Sequence, residues 1–283
     1  ILRTAVAGAL TLATTAAFAY TAEDVELSLH PYKNWKPEHA GYTPGMVINQ
    51  GNVDQLKEIL DPAMYDHIKV GWDELNTMET ESFDLHPNFD KTTLAAMANP
   101  PTLNDSGTID NFVSGRPFPT EPDANDPQAG LKVAWNYQYG YNWGDNAAIC
   151  PFYWRYRDAK GAGKLERQLK FCFHFLNWVH RINDPPVPEV PENPAKLFRS
   201  IYTIVSEPFD LSNTQLLIHR YQDDTKRDDA WLYLGFQRRV RRLATGQTTD
   251  SFLGADLAIE DFEGYNGRIS DYSWELAGTK NIM

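Results

Sequence analysis

The sequence lacks the common motifs of metal, redox and nucleotide chemistry. It has only two cysteines and no CxxC motif, so thioredoxin-type chemistry and zinc ribbons find no support. Its seven histidines are isolated, and none forms an HExxH motif or lies at metal-binding spacing from another histidine or a cysteine. The GxSxG, P-loop and GxGxxG motifs are absent as well. We therefore predict no metal, no cofactor and no catalytic residues, and we do not expect an enzyme.

Basic residues are scarce relative to acidic ones. The sequence contains 26 lysine and arginine residues against 38 aspartate and glutamate residues, which gives a formal net charge of −12. Nucleic-acid binding needs a basic footprint that matches the phosphates, so we exclude nucleic acid as a partner. The acidic balance also disfavours broad docking on an anionic lipid surface.

The uncharged N-terminal run is short for a membrane-spanning helix, which needs about 20 apolar residues. It covers residues 4–19, follows Arg3 and ends in the small-x-small sequence AFA. These features are typical of a secretory signal peptide. We predict a signal peptide over residues 1–19 and a mature protein that begins at Tyr20. The protein would then be periplasmic and not an integral membrane protein, and an uncleaved anchor is the alternative.

Secretion would place Cys150 and Cys172 in an oxidising compartment, where two cysteines can pair. They flank a predicted β-hairpin, so a disulfide bond between them is geometrically possible. Two buried thiols are the alternative, and the sequence leaves both open.

Residues 20–130 are predicted to form an irregular and partly helical segment that packs on a sheet. Residues 53–68 place apolar side chains at helical spacing, and Pro62 divides this stretch or begins a second helix. Residues 71–130 are rich in proline, asparagine, aspartate and glycine, which favours loops, with an extended piece at 108–113.

Residues 131–283 are predicted to form a large curved antiparallel sheet. Residues 131–143 (LKVAWNYQYGYNW) alternate like a strand, and two strands joined by a turn at 158–163 follow them. Four short strands come after the proline-rich connector at 185–194, and a last strand is predicted at 270–276. Successive strands with short links favour an antiparallel meander and a mainly β (α+β) fold class.

Aromatic side chains recur in these strands with a period of two. A large curved sheet lined with them can enclose a hydrophobic ligand. Burial of about 12 methylene groups contributes roughly 10 kcal/mol, against an association cost of about 4–15 kcal/mol. Ordinary core packing explains the same rows. The candidate ligand-binding residues are Trp135, Tyr137, Trp154, Phe171, Phe173, Phe175, Trp231 and Tyr233.

Arg238, Arg239, Arg241 and Arg242 form the most unusual segment of this acidic chain. They are candidate partner-binding residues, because guanidinium groups bind carboxylates and phosphates well. Internal pairing with nearby acids such as Asp228 is the alternative. Arginines on both faces of a strand favour an edge strand or a barrel rim.

Four blocks of the sequence resemble a known family. Residues 112–119 (FVSGRPFP) and 130–136 (GLKVAWN) are similar to the family's "aGxPFP" and "G.K.aWN" core. Residues 228–234 (DDAWLYL) and 238–243 (RRVRRL) are similar to its "DDAWlYlP..RRVRR" segment. The chain thus resembles domain of unknown function family 1329 (DUF1329) from about Ile48 to its end.

The resemblance implies a secreted protein of the Gram-negative envelope without an assigned activity. It implies the fold of Lol-type (LolA/LolB-like) outer-membrane lipoprotein carriers, a half-open barrel with a few covering helices around an apolar cavity. It also implies a link to exporters of the resistance-nodulation-division type. The chain departs from the family at Gly235, where a proline is usual. Family members continue past Met283, so a C-terminal portion is expected to be missing.

Two functional hypotheses of different classes follow. The first is a periplasmic carrier for a lipid, a lipoprotein acyl chain or another hydrophobic molecule, working with an envelope exporter. The second is a ligand-free adaptor that docks an envelope protein through the arginine-rich strand. A hydrolase is a weaker third option, because it needs converging carboxylates or a His–acid pair in a cleft.

Overall fold

The main structural feature is a six-stranded antiparallel sheet whose strands follow one another in chain order. The computed structural model describes residues 20–31, 33, 38–79, 81, 84–158, 160, 163–244, 251 and 253–280. The predicted signal peptide therefore lies outside the described residues. The strands of the sheet are β5 (Asn146–Asp158), β6 (Lys164–Asn177), β7 (Leu197–Glu207), β8 (Gln215–Tyr221), β9 (Asp229–Leu234) and β10 (Arg239–Leu243).

The sheet confirms the predicted fold class. β5 and β6 are the two strands predicted on either side of 158–163, where the backbone N–H of Gly163 donates to the carbonyl oxygen of Asp158 at 3.0 Å. β7 to β10 are the four strands predicted after the connector. β5 and β10 form the two edges, so the sheet is open. A bulge in β5 after Ile149 and one in β6 at Glu166 interrupt the register, and such bulges bend a strand.

The two faces of the sheet differ in burial. Along β6, Leu169, Phe171 and Phe175 are buried, whereas Lys170 and Cys172 point the other way and are only partly buried. The predicted alternation of this strand is therefore confirmed. Because the register continues the alternation across β7, β8 and β9, one face collects most of the apolar side chains. We name the face that carries Phe175 the covered face and the opposite one the open face.

Cys150 of β5 and Cys172 of β6 form a disulfide bond across neighbouring strands, with a Cα–Cα distance of 4.5 Å. Of the two alternatives that the sequence leaves open, the structure has the bridge.

In the described part of the chain, four α-helices precede the sheet. None of the helices in the described ranges is long and apolar enough to cross a membrane. Two short ladders, β1 (Val47–Ile48) with β2 (Leu75–Asn76) and β3 (Thr102–Leu103) with β4 (Ile109–Asp110), connect the loops between them. The helices are α1 (Ala22–Leu29), α2 (Pro62–Lys69), α3 (Pro87–Ala95) and α4 (Ala129–Gln138).

Helix α2 begins at Pro62, as one of the two readings of this proline predicted. Asp61 caps it by accepting a hydrogen bond from the backbone N–H of Ala63 at 2.9 Å. Proline is favoured in the first turn because its missing N–H would have no helical partner there. The turn Val53–Leu56 before it is a 3₁₀ helix, whose Val53 and Leu56 are fully buried with Ile68 of α2.

The strand predicted at 131–143 is wrong, because most of this stretch is helix α4. Ala134, Trp135 and Gln138 are buried on one side of the helix, which is the i, i+1, i+4 spacing of a buried helical face. Trp135 and Tyr139 stack at 5.7 Å between ring centroids, as residues four apart do on a helix. Aromatic residues at every second position contain this four-residue pair, so they fit both periods. The sheet consequently begins at Asn146.

The strand predicted at 270–276 is also wrong. A 3₁₀ turn spans Ile269–Asp271, and the following residues run irregularly. Their aromatic side chains pack on helix α4 instead of on a strand: Trp274 joins the cluster of Trp135 and Ile269. The indole N–H of Trp274 donates a hydrogen bond to the carbonyl oxygen of Ile269 at 2.9 Å.

Candidate functional site

The structure places the eight candidate ligand-binding residues in three locations. Trp135 and Tyr137 belong to helix α4, not to the sheet. Trp231 and Tyr233 lie on the open face, because their register partners Leu217 and Gln215 alternate with the buried Leu216 and Ile218. Only Trp154, Phe171, Phe173 and Phe175 share the covered face.

The covered face carries a continuous aromatic row. Phe171 packs on Trp154 of the neighbouring strand at 5.8 Å between ring centroids, and Phe152 lies at 4.9 Å from Phe171. Phe175 belongs to a cluster with Ile201 and Leu216 further across the sheet. The row is therefore the centre of a large apolar surface that spans several strands.

Residues 253–263, which we name the cover segment, lie on this surface. Leu253 packs with the cluster of Phe171, and Ile259 packs with the cluster of Phe175. Phe262 meets Trp154 edge-on at 5.8 Å and Phe173 at 6.4 Å. The aromatic row is thus occupied by side chains of the protein's own chain.

The cover segment is held at its two ends. At one end, the carbonyl oxygen of Leu253 accepts hydrogen bonds from Arg167 at 2.8 Å and from the Tyr156 hydroxyl at 3.1 Å. At the other end, the Tyr137 hydroxyl donates to the carbonyl oxygen of Glu263. Within the described ranges, no backbone–backbone hydrogen bond joins the cover segment to a strand of the sheet. Apolar side chains make the contacts between these ends.

An ion pair lies where the cover segment ends. Arg199 of β7 points to the covered face, with Nη1 at 3.6 Å from Oε2 of Glu263. Its Nε donates to Oδ1 of Asn177 at 2.8 Å. The guanidinium carbon lies 5.2 Å from the ring centroids of Phe175 and Phe198. Burial lowers the pKa of the Arg199 guanidinium, although arginine stays charged at neutral pH.

Two small cavities flank this ion pair. Each has a volume of about 20 Å³, which is room for about one water molecule. The first lies between Arg199, Glu263, Gln138 and Tyr265, and the second extends towards His180. Both are too small for a lipid, so these two are not the apolar cavity that the family resemblance implies.

The residue next to Arg199 across the strands, Arg220, is bound far more completely. It donates to Asp228, with Nη2 at 2.8 Å from Oδ2, and to the carbonyl oxygen of Gly267 at 3.3 Å. It also donates to Asn266. These contacts fix the chain that follows the cover segment to the sheet.

Arg239, Arg241 and Arg242 lie in the edge strand β10, and an edge strand is one of the two positions predicted for the arginine-rich segment. Arg242 binds Asp229, and Arg241 donates to Oε1 of Gln237 at 2.9 Å. Hydrogen bonds from Tyr221 and from Arg242 lower the pKa of the Asp229 carboxyl. Arg239 is exposed on the strand, and Arg238 lies in the turn before it with a φ of 50°. Internal pairing thus accounts for Arg242, while the first two arginines of the segment face solvent.

Arg199 and Glu263 were not among the predicted site residues. A signal existed for Arg199, since it lies two residues before Ile201 in a strand whose alternate positions are apolar. Glu263 gave no signal, because its contact with β7 spans a long stretch of chain.

In the described ranges, no three His, Cys, Asp or Glu side chains are grouped in a way that could hold a metal ion.

Known proteins give three results. One crystal structure that aligns with the chain is a DUF1329 family protein from Desulfovibrio piger ATCC 29098, with 20% sequence identity and a TM-score of 0.41 over 58% of this chain and 57% of that one. Another is a domain of a proposed outer membrane lipoprotein-sorting protein from Vibrio parahaemolyticus, with 22% sequence identity and a TM-score of 0.38 over 52% of each chain. The chain thus spans a little over half the length of each. No curated protein matches the sequence. The sequence model of the family described as "Protein of unknown function (DUF1329)" matches residues 47–283.

Proposed function

This chain belongs to the DUF1329 family of proteins of unknown function, and we propose that it carries a lipid, a lipoprotein acyl chain or another hydrophobic molecule in the Gram-negative periplasm. The observation that carries the proposal is the aromatic row of Trp154, Phe171, Phe173 and Phe175 beneath the cover segment. Side chains hold the middle of that segment to the sheet, so it can leave without breaking a backbone ladder. We propose that the ligand takes its place.

The cover segment and an acyl chain gain burial free energies of the same order on the aromatic row. Leu253, Ile259 and Phe262 of the cover segment each contribute roughly 1.5–3 kcal/mol when buried, or about 5–9 kcal/mol together. An acyl chain of about 12 methylene groups contributes roughly 10 kcal/mol and must offset an association cost of about 4–15 kcal/mol. Neither occupant is therefore held irreversibly, as a carrier that releases its ligand requires.

Periplasmic location is part of this proposal, because residues 1–19 have the composition of a signal peptide. The natural gene, expressed in a Gram-negative host, should release a protein that begins at Tyr20 into the osmotic-shock fluid. A full-length chain retained in the membrane fraction would contradict this location.

Native mass spectrometry with lipid extraction tests the carrier function. The protein purified from the periplasm should retain a hydrophobic molecule, and Phe173→Asp on the covered face should lose it. Tyr233→Asp, on the open face, is the matched control and should keep the ligand. Circular dichroism shows whether both variants are folded. A wild-type mass without ligand that stays unchanged after lipids are added would overturn the proposal.

A second candidate function, docking of an envelope protein, is favoured by the edge of the sheet. Arg238 and Arg239 are exposed there beside Phe236, which is 69% exposed. Phe209, in the hairpin loop that follows β7, is 96% exposed. The backbone of Gly235 approaches the carbonyl oxygen of Ser212 so closely that a Cβ atom would lie 2.6 Å from it, so the two loops touch.

The partner that we propose for this edge is an exporter of the resistance-nodulation-division type. Arg238→Glu combined with Arg239→Glu should then abolish co-purification with the exporter. Arg227→Glu, an exposed arginine at the opposite end of the strands, is the control and should leave co-purification intact. Equal loss in both variants would point to net charge and not to this edge.

A further inference from the structure

Arg199 is an incompletely bound cation at the end of the aromatic row. Charge-assisted N–H···O contacts are usually about 2.7–2.9 Å long, whereas its nitrogen lies 3.6 Å from the Glu263 carboxylate. Its side chain is only 12% exposed, so water cannot fully replace a close anion. Arg220, its register partner on β8, holds Asp228 at 2.8 Å and shows what a satisfied arginine on this face looks like.

Glu263, the partner of Arg199 in this ion pair, also has unfavourable features. Its Oε1 is buried and makes no hydrogen bond with the described residues. Its backbone has a φ of 60°, a conformation that a residue other than glycine adopts rarely. A buried acceptor without a donor destabilises the arrangement that contains it. The contact between Glu263 and Arg199 is therefore one that a better-fitting anion can replace.

The cover segment has the chemistry of an anionic amphiphile. Its carboxylate, on Glu263, lies at Arg199. Its neighbour Phe262 lies on Phe173 and Trp154 of the aromatic row. Because Arg199 contacts Phe175, an anion bound there would direct an attached alkyl chain along the same row. The cavity beside the ion pair adds space for an oxygen of the head group.

We propose that Arg199 binds the anionic head group of the carried ligand, and that Glu263 occupies this position when no ligand is present. The ligand class is an amphiphile with one alkyl chain and a carboxylate or phosphate head. This inference rests on the proposed carrier function and adds the head group to it.

Titrations of the purified protein with laurate, dodecyl phosphate and dodecanol, followed by calorimetry, test the inference. The three probes share a chain length, so their difference isolates the head group. Arg199→Gln should weaken laurate or dodecyl phosphate binding by about 10-fold or more, the effect of losing one charge-assisted hydrogen bond, and should leave dodecanol binding unchanged. Whichever anion is affected more identifies the head group as carboxylate or phosphate.

Glu263→Gln should act in the opposite direction and strengthen binding of the anionic probes, because it removes the competing carboxylate. Glu207→Gln, at the exposed end of β7 and paired with Lys170, is the matched control and should change nothing. If Arg199→Gln does not fold, Arg199→Lys keeps the charge without the planar fork and should weaken the anionic probes alone.

The outcomes separate the two proposals. Dodecanol binding together with an equal response of all three probes to Arg199→Gln would overturn the head-group inference and leave the carrier function intact. An unchanged anion affinity in Glu263→Gln would do the same. A wild-type protein that binds none of the three probes would overturn both.

Discussion

Gly130 of helix α4 lies directly against the backbone of Trp274. A Cβ atom at position 130 would stand 2.6 Å from the carbonyl carbon of Trp274 and 2.6 Å from the amide nitrogen of Glu275. The contact holds Trp274 and Glu275 against helix α4, the helix that the sequence pattern predicted to be a strand.

Gly130→Ala should therefore destabilise the protein, although alanine is the better helix former. Relief of the backbone clash requires the chain at 274–275 to shift, and overpacking of this kind costs about 1–3 kcal/mol. Urea unfolding measures the effect. Val133→Ala, on the partly exposed side of the same helix, is the control and should change stability by less than about 1 kcal/mol. A more stable Gly130→Ala variant would contradict this close contact.

Asp145 organises the loop after β6. Its carboxylate accepts hydrogen bonds from the backbone N–H groups of Ile182 at 2.9 Å, Asn183 at 2.6 Å and Asp184 at 2.8 Å, and the residue is 1% exposed. Asp145→Ala leaves the buried N–H of Ile182 and the part-buried N–H groups of Asn183 and Asp184 without their acceptor, and should cost about 3 kcal/mol of unfolding free energy. Asp126→Ala, whose carboxylate binds Lys132 nearer the surface, serves for comparison and should cost much less.

The disulfide between Cys150 and Cys172 closes a loop with a sequence separation of 22 residues. Loss of a bridge of this size should lower the unfolding free energy by about 2–4 kcal/mol. The measurement is chemical denaturation of the wild type and of the Cys150→Ser, Cys172→Ser double variant, each with and without reductant. Reductant should destabilise the wild type only, and an equal effect on both proteins would argue against the bridge.

His180 should make stability depend on pH. Burial lowers its pKa to about 4, and its Nδ1 lies 2.7 Å from the carbonyl oxygen of Val113. The unfolded chain, with an ordinary histidine pKa near 6.5, binds the proton more readily than the folded one. The contribution is therefore fully present above about pH 6.5 and is lost as the pH falls towards 4, by at most about 3 kcal/mol.

Urea unfolding at pH 7.5, 6 and 5 checks this sign. His180→Gln removes the titrating ring and should flatten the decline between pH 6.5 and 5. His67, which is exposed, gives the matched variant His67→Gln, whose decline should follow the wild type. A wild type that is more stable at pH 5 than at pH 7.5 would refute the prediction.

The local sequence pattern was sufficient to predict most strands of the sheet. The two-residue alternation of β6 predicted which of its side chains share a face, and one of the two readings of Pro62 placed it at the start of a helix. These features depend on neighbours within a few positions, where steric preference and hydrogen-bond geometry act directly. The pattern failed at 131–143, because its alternating aromatic residues also occupy positions four apart on one side of a helix.

The sequence by itself determined that the second half of the chain is mainly β, that its strands pair in a meander and that Phe171, Phe173 and Phe175 share a face, although it placed the first strand at 131–143 and not at Asn146. Only the tertiary structure decided that Trp231 and Tyr233 point away from that face, because register across three strands sets the direction. It also decided that residues 253–263 cover the aromatic row and that Glu263 meets Arg199. Such contacts join distant parts of the chain, and their energies depend on burial and approach that no local spacing encodes.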